Sequence, residues 1–183
     1  KTLNAGQICL APDYVVVHKD QKIDFIKETK EAVSEYYPKI KDNDDYTSII
    51  NESHYNRLKD MIDDAIEKGA TVEEINPANE DFSQQEFYKI PPTIVSNTTD
   101  DMKIMQEEIF GPLLPVVEYD EIDEATQLIN SKDRPLGLYY FGNDKTEEDN
   151  LLNKTSSGGV TVNNVISHLQ QNDLSFGGVG PSG

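Results

Sequence analysis

The single cysteine of this sequence, Cys9, stands in the run Asn4-Ala5-Gly6-Gln7-Ile8-Cys9-Leu10-Ala11-Pro12. A thiol is a strong nucleophile once it loses its proton. Gly6 lets the backbone come close to a substrate or to another segment. Backbone N–H groups at a loop–strand junction can hold a developing oxyanion. A lone cysteine also serves as a small buried hydrophobe, and taken by itself Cys9 fits either role.

A second run, Glu107-Glu108-Ile109-Phe110-Gly111-Pro112, sets an acid beside an aromatic and closes on a rigid Gly-Pro step. A carboxylate there can accept hydrogen bonds from both hydroxyls of a ribose, or it can cap a turn. Two glycine-rich runs follow, Ser156-Ser157-Gly158-Gly159-Val160-Thr161-Val162-Asn163-Asn164 and Leu174-Ser175-Phe176-Gly177-Gly178-Val179-Gly180-Pro181-Ser182-Gly183. Neither has a Gly-Lys-Ser/Thr step or a Gly-x-Gly-x-x-Gly between a strand and a helix, so both are poor phosphate cradles. His18, His54 and His168 fall at no metal-ligand spacing, and one cysteine makes no zinc site with them. His168 reads as a loop histidine with its polar tip in solvent.

The elements that must position these residues are legible from periodicity. Tyr14–His18 reads as a strand just after Cys9. Ile23, Ile26, Val33 and Tyr37 mark one face of a helix that Pro38 ends. Asp42–Tyr46 is an acidic loop. A second helix spans about Ser53–Lys68, with Tyr55, Leu58, Met61, Ile62, Ala65 and Ile66 as its apolar stripe and Gly69 as its C-terminal cap. Ala70–Ile75 reads as a strand, Asn76–Glu86 as a polar surface excursion, and Thr93–Val95 as a strand. Leu113–Tyr119 is another strand, and Pro115 inside it suggests an edge position or an early unpaired residue. Asp120–Asn130 is helical, Leu136–Phe141 a strand, and Asp144 with Glu147 opens a helix to about Thr155. Gly158–Asn163 is the last strand. Strands alternating with helices predict an α/β fold, a mostly parallel sheet sandwiched by helices.

Composition sets the outer bounds. The net charge of −18 describes a solvated surface, with denser acid at Asp42–Asp45 and Thr146–Asp149. Such a surface repels nucleic-acid phosphates and anionic bilayers. No apolar run approaches the roughly 18 residues of a membrane span, and no signal peptide is visible. One cysteine allows no internal disulfide, which fits a reducing compartment and predicts a cytoplasmic protein. The chain opens inside a patterned segment and stops inside a glycine-rich run. The expectation is therefore one domain, residues 1–183, of a longer protein.

Taken together, the four runs resemble the motifs of the aldehyde dehydrogenase superfamily, in its order and over the whole chain. Asn4-Ala5-Gly6-Gln7-x-Cys9-x-Ala11-Pro12-Asp13-Tyr14 is similar to its active-site cysteine motif. Glu107-Glu108-Ile109-Phe110-Gly111-Pro112 is similar to its Glu-Phe-Gly-Pro cofactor motif, and the two glycine runs to its C-terminal motifs. Ala11-Pro12-Asp13-Tyr14 and Gly158–Asn164 resemble the class 3 and coniferyl aldehyde dehydrogenase branch. Thr2 and Ser175 depart from the pattern, where an aromatic or aliphatic residue and a proline are usual.

The resemblance implies a Rossmann-like catalytic domain and an NAD(P)-dependent oxidation of an aldehyde, aromatic such as coniferyl aldehyde or medium-chain aliphatic, to the acid. Cys9 would be the nucleophile, passing through a thiohemiacetal and a thioester, with its own N–H as half of the oxyanion hole. Glu108 would hold the nicotinamide ribose and Phe110 would pack at the nicotinamide end. Phe176, Gly177 and Gly178 would shape the active-site mouth. The general base, the oxyanion asparagine and the cofactor domain precede the cysteine in the family. Residues 1–183 alone are therefore expected to be inactive, and the parent enzyme to be a homodimer. Two other readings stay open: an acylating dehydrogenase that releases the thioester to coenzyme A, and a non-catalytic partner-binding module.

Overall fold

Helix α1, Lys22–Tyr36, packs Phe25, Ile26 and Val33 onto a sheet. Periodicity placed Ile23 on that face, but it is 79% exposed. Phe25 and Ile23 flank the stripe on opposite sides, and the sheet covers the Phe25 side. Helix α2, Glu52–Glu67, starts where the Asn51 side chain accepts the His54 N–H at 2.9 Å, which satisfies one of the free donors of the first turn. Leu58, Met61 and Ala65 are buried and Tyr55 and Ile62 partly so. Ile66, expected in the same stripe, is 54% exposed. The helix ends one residue after it, where the packed face has run out.

The structure is a computed structural model and describes residues 1–183. It divides into two compact units, Lys1–Glu118 and Tyr119–Gly183. In the first, β1 (Val15–His18), β2 (Thr71–Glu74), β3 (Thr93–Ser96) and β4 (Leu113–Tyr119) form a sheet in the order β1-β4-β3-β2. Strands β3 and β4 are parallel and β2 and β3 antiparallel, with Val95 facing both Pro115 and Val72. Side chains alternate across the sheet. Ile94 and Val116 meet α1 on one face, while Val95 and Leu113 join Leu58 and Met61 of α2 in the larger core on the other. The expected sandwich is formed.

Pro115 is not at an edge. Strand β4 lies between β1 and β3, and Pro115 is in register with Val95. A proline removes a single ladder donor, and this strand is seven residues long. Its apolar residues bury on both faces, which favours a central place over the edge. A short helix, α3 (Lys103–Gln106), was not foreseen.

Tyr46, expected in the acidic loop, is buried in the main core. Its ring meets Tyr37 edge-on at 5.2 Å, its hydroxyl donates to the Ile90 carbonyl at 2.8 Å, and burial pushes its phenol up. Tyr46→Phe leaves that carbonyl buried without its donor. We expect a loss of about 1–2 kcal/mol, read from the urea midpoint. An unchanged midpoint would show that water replaces the phenol.

The second unit contains α4 (Ile122–Ser131), β5 (Gly137–Tyr140), α5 (Lys145–Lys154) and β6 (Gly159–Val162). Strands β5 and β6 are parallel. The Asp144 carboxylate caps α5 by accepting the Thr146 and Glu147 N–H groups at 2.8 and 3.1 Å. The glycines of its two rich runs serve close packing. A Cβ on Gly177 would lie 2.3 Å from the Gly158 carbonyl oxygen, so the runs lie backbone to backbone. His168 corrects the sequence reading. It is only 7% exposed, with Nδ1 2.8 Å from the Thr161 hydroxyl and Nε2 buried without a partner. A turn of 3-10 helix, Ser167–Gln170, folds the ring back beside Gly159, where the missing Cβ leaves it room.

Candidate active site

Cys9 follows a turn whose backbone is unusual. Asn4, Ala5 and Gly6 have φ of 50°, 50° and 74°, a left-handed stretch that costs roughly 1–2 kcal/mol for each residue with a side chain. Such strain persists only where the surroundings over-determine it. Here Asn4 Nδ2 donates to the Gln7 carbonyl at 3.1 Å, and Gln7 Nε2 donates back to the Asn4 carbonyl at 3.1 Å. Ala5 is fully buried. The Gln7 amide also reaches out of the turn: Nε2 donates to the Ser48 carbonyl and Oε1 accepts the Ile50 N–H, both at 3.0 Å. Beyond it, Cys9 is exposed in a tight turn closed by Ala11 N–H on the Ile8 carbonyl, and buried Leu10 anchors that turn beside it.

Glu108 and Phe110 lie in the loop between α3 and β4. Their side chains face solvent, with Phe110 37% exposed, while Ile109 between them is buried. Phe110 has a φ of 48°, again left-handed. The loop is held by its main chain. Arg57 of α2 donates to the Glu108 carbonyl at 3.1 Å and to the Ile109 carbonyl at 2.6 Å, and it pairs with Glu107 at 3.9 Å. The Asp13 carboxylate accepts the Ile109 N–H at 3.0 Å.

The structure brings the cysteine run and the Glu-Phe-Gly-Pro run together. Asp13 is one link between them. The second is steric: a Cβ on Gly6 would sit 2.2 Å from the Gly111 carbonyl oxygen, so Gly6 backs directly on the second loop. Close by, burial draws the Lys1 ammonium down to about 8, partly offset by Asp13 and Glu108. Phe176, Gly177 and Gly178 belong to the other unit, Tyr119–Gly183.

Sequence reasoning assigned no role to Gln7, Asp13 or Arg57. Gln7 and Asp13 stand inside the cysteine run, but their work lies in long-range main-chain bonds that spacing does not show. Arg57 offers one signal, a planar cation on the edge of a helical stripe.

The arrangement combines an exposed thiol on a fixed backbone, an exposed carboxylate on the adjoining loop that can accept a diol, and an exposed aromatic ring two residues from that carboxylate. This suits addition of the thiol to a carbonyl beside a ribose-bearing cofactor.

Residues 1–183 match the sequence model of the aldehyde dehydrogenase family. A probable coniferyl aldehyde dehydrogenase of Caulobacter vibrioides is 60% identical over 183 residues, which are all of this chain and 38% of that protein. A coniferyl aldehyde dehydrogenase of a Pseudomonas species is 49% identical over the same length, again 38% of its own. The solved substrate-bound state of Staphylococcus aureus AldH superposes with a TM-score of 0.86 at 36% identity, covering 97% of this chain and 37% of that one. The chain thus spans little more than a third of the relatives it matches. With the four motifs in order, the cysteine and Glu-Phe-Gly-Pro loops locked together, and a match along its whole length, the chain belongs to the aldehyde dehydrogenase family.

Proposed function

We propose that residues 1–183 form the cysteine-bearing catalytic domain of an NAD(P)-dependent aldehyde dehydrogenase, with coniferyl aldehyde or a similar aromatic aldehyde as substrate. The observation that carries this reading is the contact of Gly6 with Gly111, which sets the thiol loop against the carboxylate loop. The substrate class is supported by the coniferyl aldehyde dehydrogenases at 60% and 49% identity. Family membership further supports a homodimeric parent enzyme.

Cys9 thiolate adds to the aldehyde carbonyl, and its backbone N–H donates to the oxygen as negative charge builds there. The Glu108 carboxylate is exposed, beside an exposed aromatic ring, and fits a nicotinamide ribose through its two hydroxyls. Phe110 would pack at the nicotinamide end. NAD(P), held by Glu108 and Phe110, would supply the hydride acceptor; the Cys9 sulfur would carry the acyl group as a thioester until water releases the carboxylic acid. No helix is long and apolar enough to cross a membrane.

The test is turnover of coniferyl aldehyde by the complete protein with NAD or NADP, followed as reduced cofactor and as ferulate-type acid. Glu108→Gln should raise the cofactor KM or lower kcat by about tenfold to a hundredfold, the range for a charged hydrogen bond. Turnover that requires coenzyme A in place of water would replace the hydrolytic reading with the acylating one. No cofactor reduction with any aldehyde would overturn both.

A further inference from the structure

We propose that Gln7 is a positioning residue whose side-chain amide fixes the direction of the Cys9 N–H. The inference rests on the aldehyde dehydrogenase reading above and adds to it a residue without contact to the reacting atoms. A left-handed turn of Asn4, Ala5 and Gly6 lies uphill of ordinary backbone, so it needs an external hold. The Gln7 amide gives that hold in two directions. It donates to the Asn4 carbonyl within the turn, and it bonds the Ser48 carbonyl and the Ile50 N–H outside it, at 3.0–3.1 Å.

That second pair copies a strand pairing: one side chain meets a donor and an acceptor of the same segment, two residues apart. The segment is not free to drift. Ile49 is buried in the core and its N–H donates to the Tyr88 carbonyl at 2.9 Å, and Asn51 next to it caps α2. Gln7 therefore ties the strained turn to the rigid start of a long helix, two residues before Cys9. Every polar atom of its amide is used, and none points to the thiol. Its effect falls on the peptide plane that carries the Cys9 N–H. A donor must aim at where the oxyanion forms, and a misplacement of about 1 Å costs on the order of a hundredfold in rate.

The test compares wild type with Gln7→Met, which keeps the length and loses the bonds, and Gln7→Glu, which keeps the Ile50 acceptor and loses the donor. In the complete protein, kcat for the aldehyde should fall about a hundredfold in Gln7→Met and less in Gln7→Glu. The cofactor KM should stay within about twofold of wild type. Alkylation of Cys9 by iodoacetamide needs a thiolate but no oxyanion donor, so its rate should hold in both variants. Amide exchange at Ile50 should rise in Gln7→Met and stay near wild type in Gln7→Glu. Unchanged kcat in Gln7→Met overturns the proposal. A fall in alkylation as large as the fall in kcat also overturns it, because Gln7 would then hold the whole loop rather than one N–H. Should wild type itself reduce no cofactor, the reading of the enzyme fails, and unchanged Ile50 exchange in Gln7→Met would still refute the clamp.

Discussion

Replacing Cys9 by serine should abolish the proposed aldehyde oxidation by the complete protein, with a loss of at least about 10⁴-fold in kcat, as expected when a covalent nucleophile is removed. The hydroxyl is almost wholly protonated at neutral pH, while a thiol ionises readily and attacks well. The change is small in volume and falls on an exposed side chain, so the fold should not register it. Thermal unfolding should move by less than about 0.5 kcal/mol, as for most surface substitutions. Cofactor binding should persist, because the proposed ribose contact is made by Glu108. A positive counterpart completes the test. Wild type mixed with aldehyde and cofactor, then quenched, should carry the acyl mass on the peptide containing Cys9, and Cys9→Ser should carry none. Residual turnover above about one part in a hundred would be too high for a lost nucleophile and would move the chemistry elsewhere. A fully active variant would leave the partner-binding reading of this domain standing.

The fold was largely legible in the sequence because most of its elements are amphipathic or bounded by strong punctuation. Asp144 with Glu147 and Gly69 marked helix ends that the structure reproduces to within a residue or two. The errors share a physical cause. Pro115 suggested an edge position or an early unpaired residue by its missing donor, but the burial of Leu113, Leu114 and Val116 around it favours a central strand. Ile23 and Ile66 have the right spacing, yet which flank of a helix is covered depends on where the sheet lies. His168 was read from a polar loop, whereas it folds onto a strand through Thr161, a contact with no local signature. At the candidate site, Cys9, Glu108 and Phe110 were singled out by their motifs, and the structure sets the two runs that carry them against each other. What holds them was not, because Gln7, Asp13 and Arg57 act on main-chain atoms some 40 to 100 positions away.

Gly6→Ala should damage stability and activity together, through the contact that joins the two loops. Two costs are expected. A left-handed φ of 74° is strained for alanine by roughly 1–2 kcal/mol. The added Cβ would also lie 2.2 Å from the Gly111 carbonyl oxygen and 3.2 Å from that of Lys1. Both obstacles are backbone, so no side chain can swing aside, and either the cysteine turn or the Glu108–Gly111 loop must retreat. Gly69→Ala separates the two terms. Gly69 has a φ of 91°, and a Cβ added there would meet nothing within 4 Å, so it carries strain without a clash. Gly69→Ala should therefore cost about 1–2 kcal/mol with kcat unchanged, while Gly6→Ala should cost clearly more, about 3 kcal/mol or above, as for overpacking added to strain. The retreat would part the thiol from the proposed ribose-binding carboxylate, so kcat should fall by about a hundredfold or more. If Gly6→Ala instead matches Gly69→Ala in unfolding and keeps its turnover, the loops have slack between them. Their close approach could then no longer be what sets Cys9 against Glu108.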